Sequence, residues 1–430
     1  MVQVNRSNLS TSADGADIFV LATPGTSFRN SGRLTTSGAE ASPIRVAADG
    51  VSVVNVGTLS TSGDGAVGIS VGFLLGQHYD NVSIANYGLI TTTGNIFGDL
   101  NYADGIDAFG NHAHVANYGT ITATGLGSGI YSIGSDSVLA NYGRINSFDS
   151  GIVIDQLNGE IHSQAINYGQ IRVGPEDGSH GIWLVSGDNV AINYGSIRVD
   201  GFHAFGIALE GDHNQGANFG TVLATAEQGR GVLLSGESHS FDNAGTIRTT
   251  GADSVGIRYA GENVAGTDGG TFTNTGRVVS NGWAVRGGDS DDHVVNHGLL
   301  AGTVDLGAGA DSYLAGSGGH LVGELILGDG DDLVVVERAS GLLSIADFVA
   351  GAGSDDVLDI QAFGYHSIDQ LLAHALQVGS DVQLNLGGNA QVTLEGVSLA
   401  ALASDDFLFS ASAAMLSSTA VTHPDMLAHA

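Results

Sequence analysis

Apolar and polar residues alternate along most of the chain. Ile84, Asn86, Gly88 and Ile90 share one parity, and Leu139, Asn141, Gly143 and Ile145 repeat it. Successive side chains on a strand point to opposite faces, so this period of two predicts short β-strands. The pattern also recurs on a longer scale. Asn-x-Gly with an apolar residue two positions further on begins at Asn30, Asn55, Asn86, Asn117, Asn141, Asn167, Asn193, Asn218, Asn243, Asn274 and Asn296, a mean spacing of 26.6 residues. Between these triplets lies Gly followed by Ile or Val, as at Gly105-Ile106, Gly181-Ile182 and Gly256-Ile257. The unit is two or three strands joined by Gly, Asp and Ser turns. A period in the twenties, alternation and no helical stretch predict an all-β, parallel β-solenoid, or β-helix. Such coils are usually right-handed. Eleven coils at ~4.8 Å each give a rod of roughly 50 Å.

If the Ile of each triplet faces inward, the Asn does too. A buried amide in every coil is costly unless it is hydrogen-bonded, so the Asn column is expected to form a ladder along the axis. The opposite parity places Tyr87, Tyr118, Tyr142, Tyr168, Tyr194 and Phe219 outside, one per coil. This aromatic row either stacks to stabilise the sheet or offers a ligand and partner surface.

From about residue 287 the repeat changes. The segments Gly287–Val294, Gly307–Tyr313, Gly328–Val334 and Gly351–Val357 each fit Gly-x-Gly-x-Asp-x-apolar, with Ser290 in place of the second Gly of the first. Glycines permit a tight turn, Asp supplies hard carboxylate oxygen, and the apolar residue plugs a thin core. Calcium takes six to eight such oxygens. Asp289, Asp292, Asp311, Asp329, Asp332 and Asp355 are therefore candidate Ca2+ ligands. The segment resembles the repeats-in-toxin (RTX) family over residues 285–410, although the half-coil around Gly318-Gly319-His320 lacks its Asp. After it, Ser367 and Gln370 form a capping box for a short helix, with Gly379 suited to its stop. Residues 381–386 and 391–394 flank Gly387-Gly388 as a hairpin. This end is similar to the C-terminal cap of type I-secreted RTX proteins. The resemblance implies an uncleaved C-terminal signal, passage through the type I secretion machinery, and folding outside the cell on meeting calcium. The domains expected are a solenoid over 1–285, a calcium β-roll over 286–360, a cap and secretion signal over 361–410, and a flexible tail over 411–430.

Composition narrows the function. Asp and Glu number 45 against 13 basic residues, all Arg, giving a net charge of −32, and there is no Cys. This excludes a basic stripe for nucleic acid, a lysine base or Schiff base, a disulfide and a zinc–thiolate site. No apolar run reaches the ~18 residues of a membrane span, and the N-terminus lacks signal-peptide design. The layout is also similar to that of mannuronan epimerases, but their Tyr-Gly-x-Asp-Pro-His pattern is not found. The best catalytic candidates are Asp104, Asp107 and His112, beside Tyr102 and His114, in a coil whose extra residues imply a protruding loop. The expected protein is an extracellular, secreted or cell-surface, calcium-dependent structural or adhesive protein, which self-associates or meets extracellular polysaccharide. The alternatives are a carbohydrate-binding adhesin using the Tyr row, and a polysaccharide lyase or epimerase.

Overall fold

The structure is a computed structural model that describes residues 2–72, 77–98, 102–155, 162–259, 268–353 and 356–410. The Asp355 candidate and the tail over 411–430 lie outside the described residues, as does part of the loop before Asp104. The chain winds as a parallel β-solenoid with three faces. One coil shows the plan: Val190–Asn193 on the first face, Ser196–Val199 on the second, Phe205–Glu210 on the third. Each strand pairs in parallel with its counterpart one coil away, so equivalent residues stack in columns. Asn55, Asn86, Asn117 and Asn141 lie in direct register on the first face.

Alternation sorts these columns into core and surface. On the second face Ile90, Ile121, Ile145, Ile171, Ile197, Val222, Ile247 and Val278 form one buried column. Like side chains stacked at one strand spacing fill a narrow interior without voids, and each β-branched residue suits a pleated surface. The Gly of each Gly-Ile pair stands where the second and third faces close on one another. A Cβ on Gly181 would collide with the Ile197 side chain and the Gly206 carbonyl. Only glycine lets the corner close that tightly.

The strand stacks run unbroken through residue 286. Asn274 pairs with Asn296, and the long strand Arg277–Gly288, which covers two faces, pairs with Leu299–Gly307 despite two register shifts. The coils then shorten, with Ser312–Ala315 and Leu333–Val336 continuing the first face. The C-terminal end is closed. Ala390–Leu394 pairs in parallel with Gly341–Ile345 and antiparallel with Asp381–Gly387, forming the expected hairpin, while Phe407–Leu408 extends the first face beside Val357–Asp359. The helix is shorter than the sequence suggests. It spans Ile368–Leu372, Ser367 caps the Gln370 amide, and the Gln370 side chain accepts from the His366 amide. Gly379 does not stop it. The chain has already entered strand Ala375–Val378, and Gly379, at φ +66°, makes the turn into Asp381–Gly387. At the other end the first coil leaves Val2, Val4, Leu9 and Val20 exposed.

Candidate functional site

The inward Asn column is a continuous ladder of twelve residues. From Asn5 to Asn274, each Nδ2 donates to the Oδ1 of the next Asn at 2.8–2.9 Å, ending at Asn296. Asn5 lacks the following Gly and was not legible as a member, although its Oδ1 accepts from the Ser7 amide as Asn30 does from Gly32.

A second ladder runs along the corner just before the first face, and it carries the acids. The Ser137 amide donates to Ser163 Oγ, the Ser163 amide to Asn189 Oδ1, and the Asn189 amide to Asn214 Oδ1. Further on, the same corner position is held by Asp292, Asp311 and Asp332. The Asp292 amide donates to Asp311 Oδ1 at 2.7 Å and the Asp311 amide to Asp332 Oδ1 at 2.9 Å. Neutral groups satisfy the corner in the middle coils, and carboxylates take over toward the C-terminus. Asp292, Asp311 and Asp332 are almost fully buried, while Asp289 and Asp329 stand exposed in the turns. Register also places Asp356 beside Asp332, because Val357 pairs with Leu333. The sequence reading stopped one residue short of it. The signal was the phase: Asp311, Asp332 and Asp356 each immediately precede a strand, Ser312–Ala315, Leu333–Val336 and Val357–Asp359.

Asp311 and Asp332 each use one oxygen in the ladder, while Asp292 Oδ2 accepts from the Gly288 amide and Asp356 Oδ2 from the Val349 amide. Asp311 Oδ2 and Asp332 Oδ2 are buried with no hydrogen-bond partner among the described residues. Burial first, then the charges of Asp292, Asp332 and Asp291, push Asp311 up to about 8; burial, then Asp356 and Asp347, push Asp332 up to about 6. The two preceding turns match, with Gly307 and Gly328 near φ +100° and Gly309 and Gly330 near +144°. Stacked, desolvated carboxylate oxygens in repeating glycine turns fit a hard divalent cation. Among the described residues no three carboxylate or imidazole side chains converge on one point, so carbonyl oxygens would have to complete the shell.

Asp104 and Asp107 form a different acidic site. They flank Gly105 at the entry to strand Ile106–Phe109, both are buried, and their carboxyls share a hydrogen bond. Asp104 also accepts from the Ser128 amide, whose hydroxyl donates to Asp149 at 3.1 Å. Tyr131 follows Asp107 in register and donates to Asp155 at 2.8 Å. Burial raises Asp104 to about 7, with Asp149 adding to the rise; burial and then the charge of Asp104 raise Asp107 well above its ordinary value. His112 is not part of this pair. It occupies the next turn at φ +57°, exposed, with Nε2 3.7 Å from Asp136. A carboxyl whose folded pKa lies above its unfolded value favours the fold only while protonated, so Asp104 withdraws stability as pH rises from about 4 through 7, and Asp107, raised in the same direction, also withdraws stability as pH rises. Asp107→Asn is therefore expected to raise the melting temperature at pH 8, leave it nearly unchanged at pH 4, and flatten its pH dependence, as read by circular dichroism.

The outer aromatic row is a stack. Tyr87, Tyr118, Tyr142, Tyr168, Tyr194 and Phe219 lie with successive ring centroids 4.7–5.0 Å apart and planes within 10° of parallel. Each ring remains 45–54% exposed. The four inner rings are stacked on both faces, so along most of its length the row presents ring edges and hydroxyls to solvent.

One group went unnoticed in the sequence. Arg230, Arg258, Arg286 and Trp283 line a cleft of about 280 Å³ on the third face, with Gln228, Asp253 and Val255. The three Arg are 28 residues apart, so a search for charges at coil spacing would have found them.

Residues 2–149 match the family model of the BigA third pectate lyase-like domain, about a third of the chain. Comparison with curated proteins gives no match. Among solved structures, the extracellular lipase LipA from Serratia marcescens is 17% identical, with 60% of this chain and 44% of that chain covered and a TM-score of 0.18. The chain thus spans less than half the length of that lipase. The N-terminal third of the chain is similar to a pectate lyase-like domain, and the structure forms it from parallel β-solenoid coils.

Proposed function

We propose that this protein is an extracellular, calcium-stabilised rod with a structural or adhesive role at the cell surface or in the surrounding matrix. The observation that carries the reading is the exposed six-ring stack on a solenoid whose polar backbone needs are met internally. It is a rigid, repeating outer surface that another copy or an extracellular polymer can meet at regular intervals. The match of residues 2–149 to a domain described as pectate lyase-like supports a surface or polysaccharide-related setting. The RTX resemblance of the acidic coils supports calcium uptake and export by type I machinery. The row would engage its partner by edge and hydroxyl contacts, since the ring faces are already stacked. Light scattering coupled to size exclusion tests this. In millimolar calcium the protein is expected to run as large assemblies, and Tyr118→Ser/Tyr142→Ser/Tyr168→Ser is expected to remain folded but small. A wild-type monomer in calcium that also binds no extracellular polysaccharide would overturn the reading.

A second reading has its own observation. Asp104 and Asp107 are a buried carboxyl pair, with Asp104 raised to about 7 and Asp107 well above the ordinary carboxylate range, a perturbation of the kind a general acid or base needs. In that reading the protein modifies an acidic polysaccharide by lyase or epimerase chemistry. Turnover of polymannuronate or polygalacturonate by the wild type, abolished in Asp107→Asn, would establish it.

A further inference from the structure

The chain carries 45 acids and only 13 Arg, yet three of those Arg converge on one cleft. Each guanidinium is held by a neutral contact. Arg230 lies over the Phe205 ring at 4.9 Å, Arg286 over the Trp283 ring at 4.6 Å, and Arg258 donates from Nη1 to the Gly287 carbonyl at 3.0 Å. None of the three forms an ion pair with a carboxylate among the described residues, whereas Arg45, Arg172 and Arg198 do. Asp253 lines the cleft and Asp305 follows Arg286 in register, but neither closes on a guanidinium. Burial, and then the repulsion from the neighbouring guanidiniums, lowers both Arg230 and Arg258 from the usual Arg range, with the charges of Asp305 and Asp292 only partly offsetting this at Arg258. A fold tolerates such an arrangement most readily when an anion relieves it.

We propose that this cleft binds an acidic saccharide. The Arg pair its carboxylate or sulfate groups through their planar forks, Trp283 packs against the apolar face of a sugar ring, and Gln228 and Asp253 meet its hydroxyls. The set combines an aromatic wall, a few convergent polar groups and fixed cations, as a small-molecule site requires. Because the guanidiniums are already positioned by Phe205, Trp283 and Gly287, little ordering remains to be done on binding. A simple polyanion surface is a poor match, since the surrounding chain is strongly negative and would repel it outside the cleft. The inference stands apart from the structural role above, and either can fail alone.

Calorimetry on the full chain in calcium buffer tests it, with trigalacturonate and a heparin-derived tetrasaccharide as acidic probes and cellotriose as the neutral control. At least one acidic probe is expected to bind, with affinity falling as salt rises. Arg258→Gln and Arg286→Gln are each expected to weaken binding at least about tenfold with unchanged circular dichroism. Arg286 is exposed, so its variant keeps the test valid even if Arg258→Gln perturbs the coil. No binding of either acidic probe, equal binding of cellotriose, or unchanged affinity in Arg286→Gln would overturn the proposal.

Discussion

Asn167→Leu is expected to destabilise the solenoid by ~3 kcal/mol or more, the largest loss for any single substitution of an uncharged side chain in the middle coils. Asn167 is fully buried. Its Nδ2 donates to Asn193 Oδ1 at 2.8 Å and approaches the Gly169 and Ser196 carbonyls at 3.3 Å, while its Oδ1 accepts from Asn141 Nδ2 at 2.8 Å. Leu matches its size but makes none of these bonds. Asn141 then loses an acceptor and Asn193 a donor, both inside the core, where an unmet polar group costs ~1–3 kcal/mol. The break also severs the ladder between two halves whose stability depends on nearest neighbours, so coils on either side of 167 should open more readily. Hydrogen exchange by mass spectrometry should show faster exchange in the coils around Asn141 and Asn193. Gln170→Ala, an exposed change in the same coil, should shift the melting temperature little. A melting curve for Asn167→Leu that matches wild type would mean the ladder does not hold the rod together.

The second large effect concerns the acidic corner, and it changes sign with calcium. Asp311 is pushed from 3.8 to about 8 and Asp332 to about 6, mainly by burial. Both folded values lie above the unfolded ones, so in chelator the C-terminal coils are expected to lose stability as pH rises from about 4 to about 8 and to level off above that. On the proposed reading a divalent cation would bind the ionised form, offset the repulsion and use Asp311 Oδ2 and Asp332 Oδ2, which have no hydrogen-bond partner among the described residues. One site at a hundredfold excess of ligand over Kd adds ~2.7 kcal/mol. Asp311→Asn preserves the acceptor for the Asp292 amide but removes the charge. It should melt higher than wild type in chelator at pH 8 and lower than wild type in millimolar calcium. A variant that shifts in the same direction under both conditions would remove calcium from the account.

Much of the fold was readable because the molecule repeats. An Asn at core parity, coil after coil, has few solutions other than a ladder, and Gly beside Ile marks a corner with no room for a Cβ. Less was readable where position depends on register between coils. The exposed turn acids Asp289 and Asp329 look equivalent to Asp292 and Asp332 in sequence, and only the strand that follows separates them. Asp356 escaped for the same reason. Asp104 and Asp107 differ in parity along the chain, and the corner at Gly105 brings their carboxyls together. His112 is near them in sequence but belongs to the next turn. The Arg cleft draws on Arg230, Arg258 and Arg286 from three successive coils, and nothing local to any one of them announces it. The helix at Ile368–Leu372 stopped early because the following residues were needed as a strand against Asp381–Gly387, a tertiary demand that a capping signal does not contain.

The most direct test of the calcium-stabilised rod is the amount of calcium the folded chain retains. Protein stripped with chelator would be titrated with Ca2+ by isothermal calorimetry, alongside Asp311→Asn and Asp332→Asn. The account predicts saturable uptake of one to about three ions per chain, little competition from Mg2+, and fewer ions in each variant. No saturable uptake at millimolar calcium, or uptake unchanged in both variants, would contradict it.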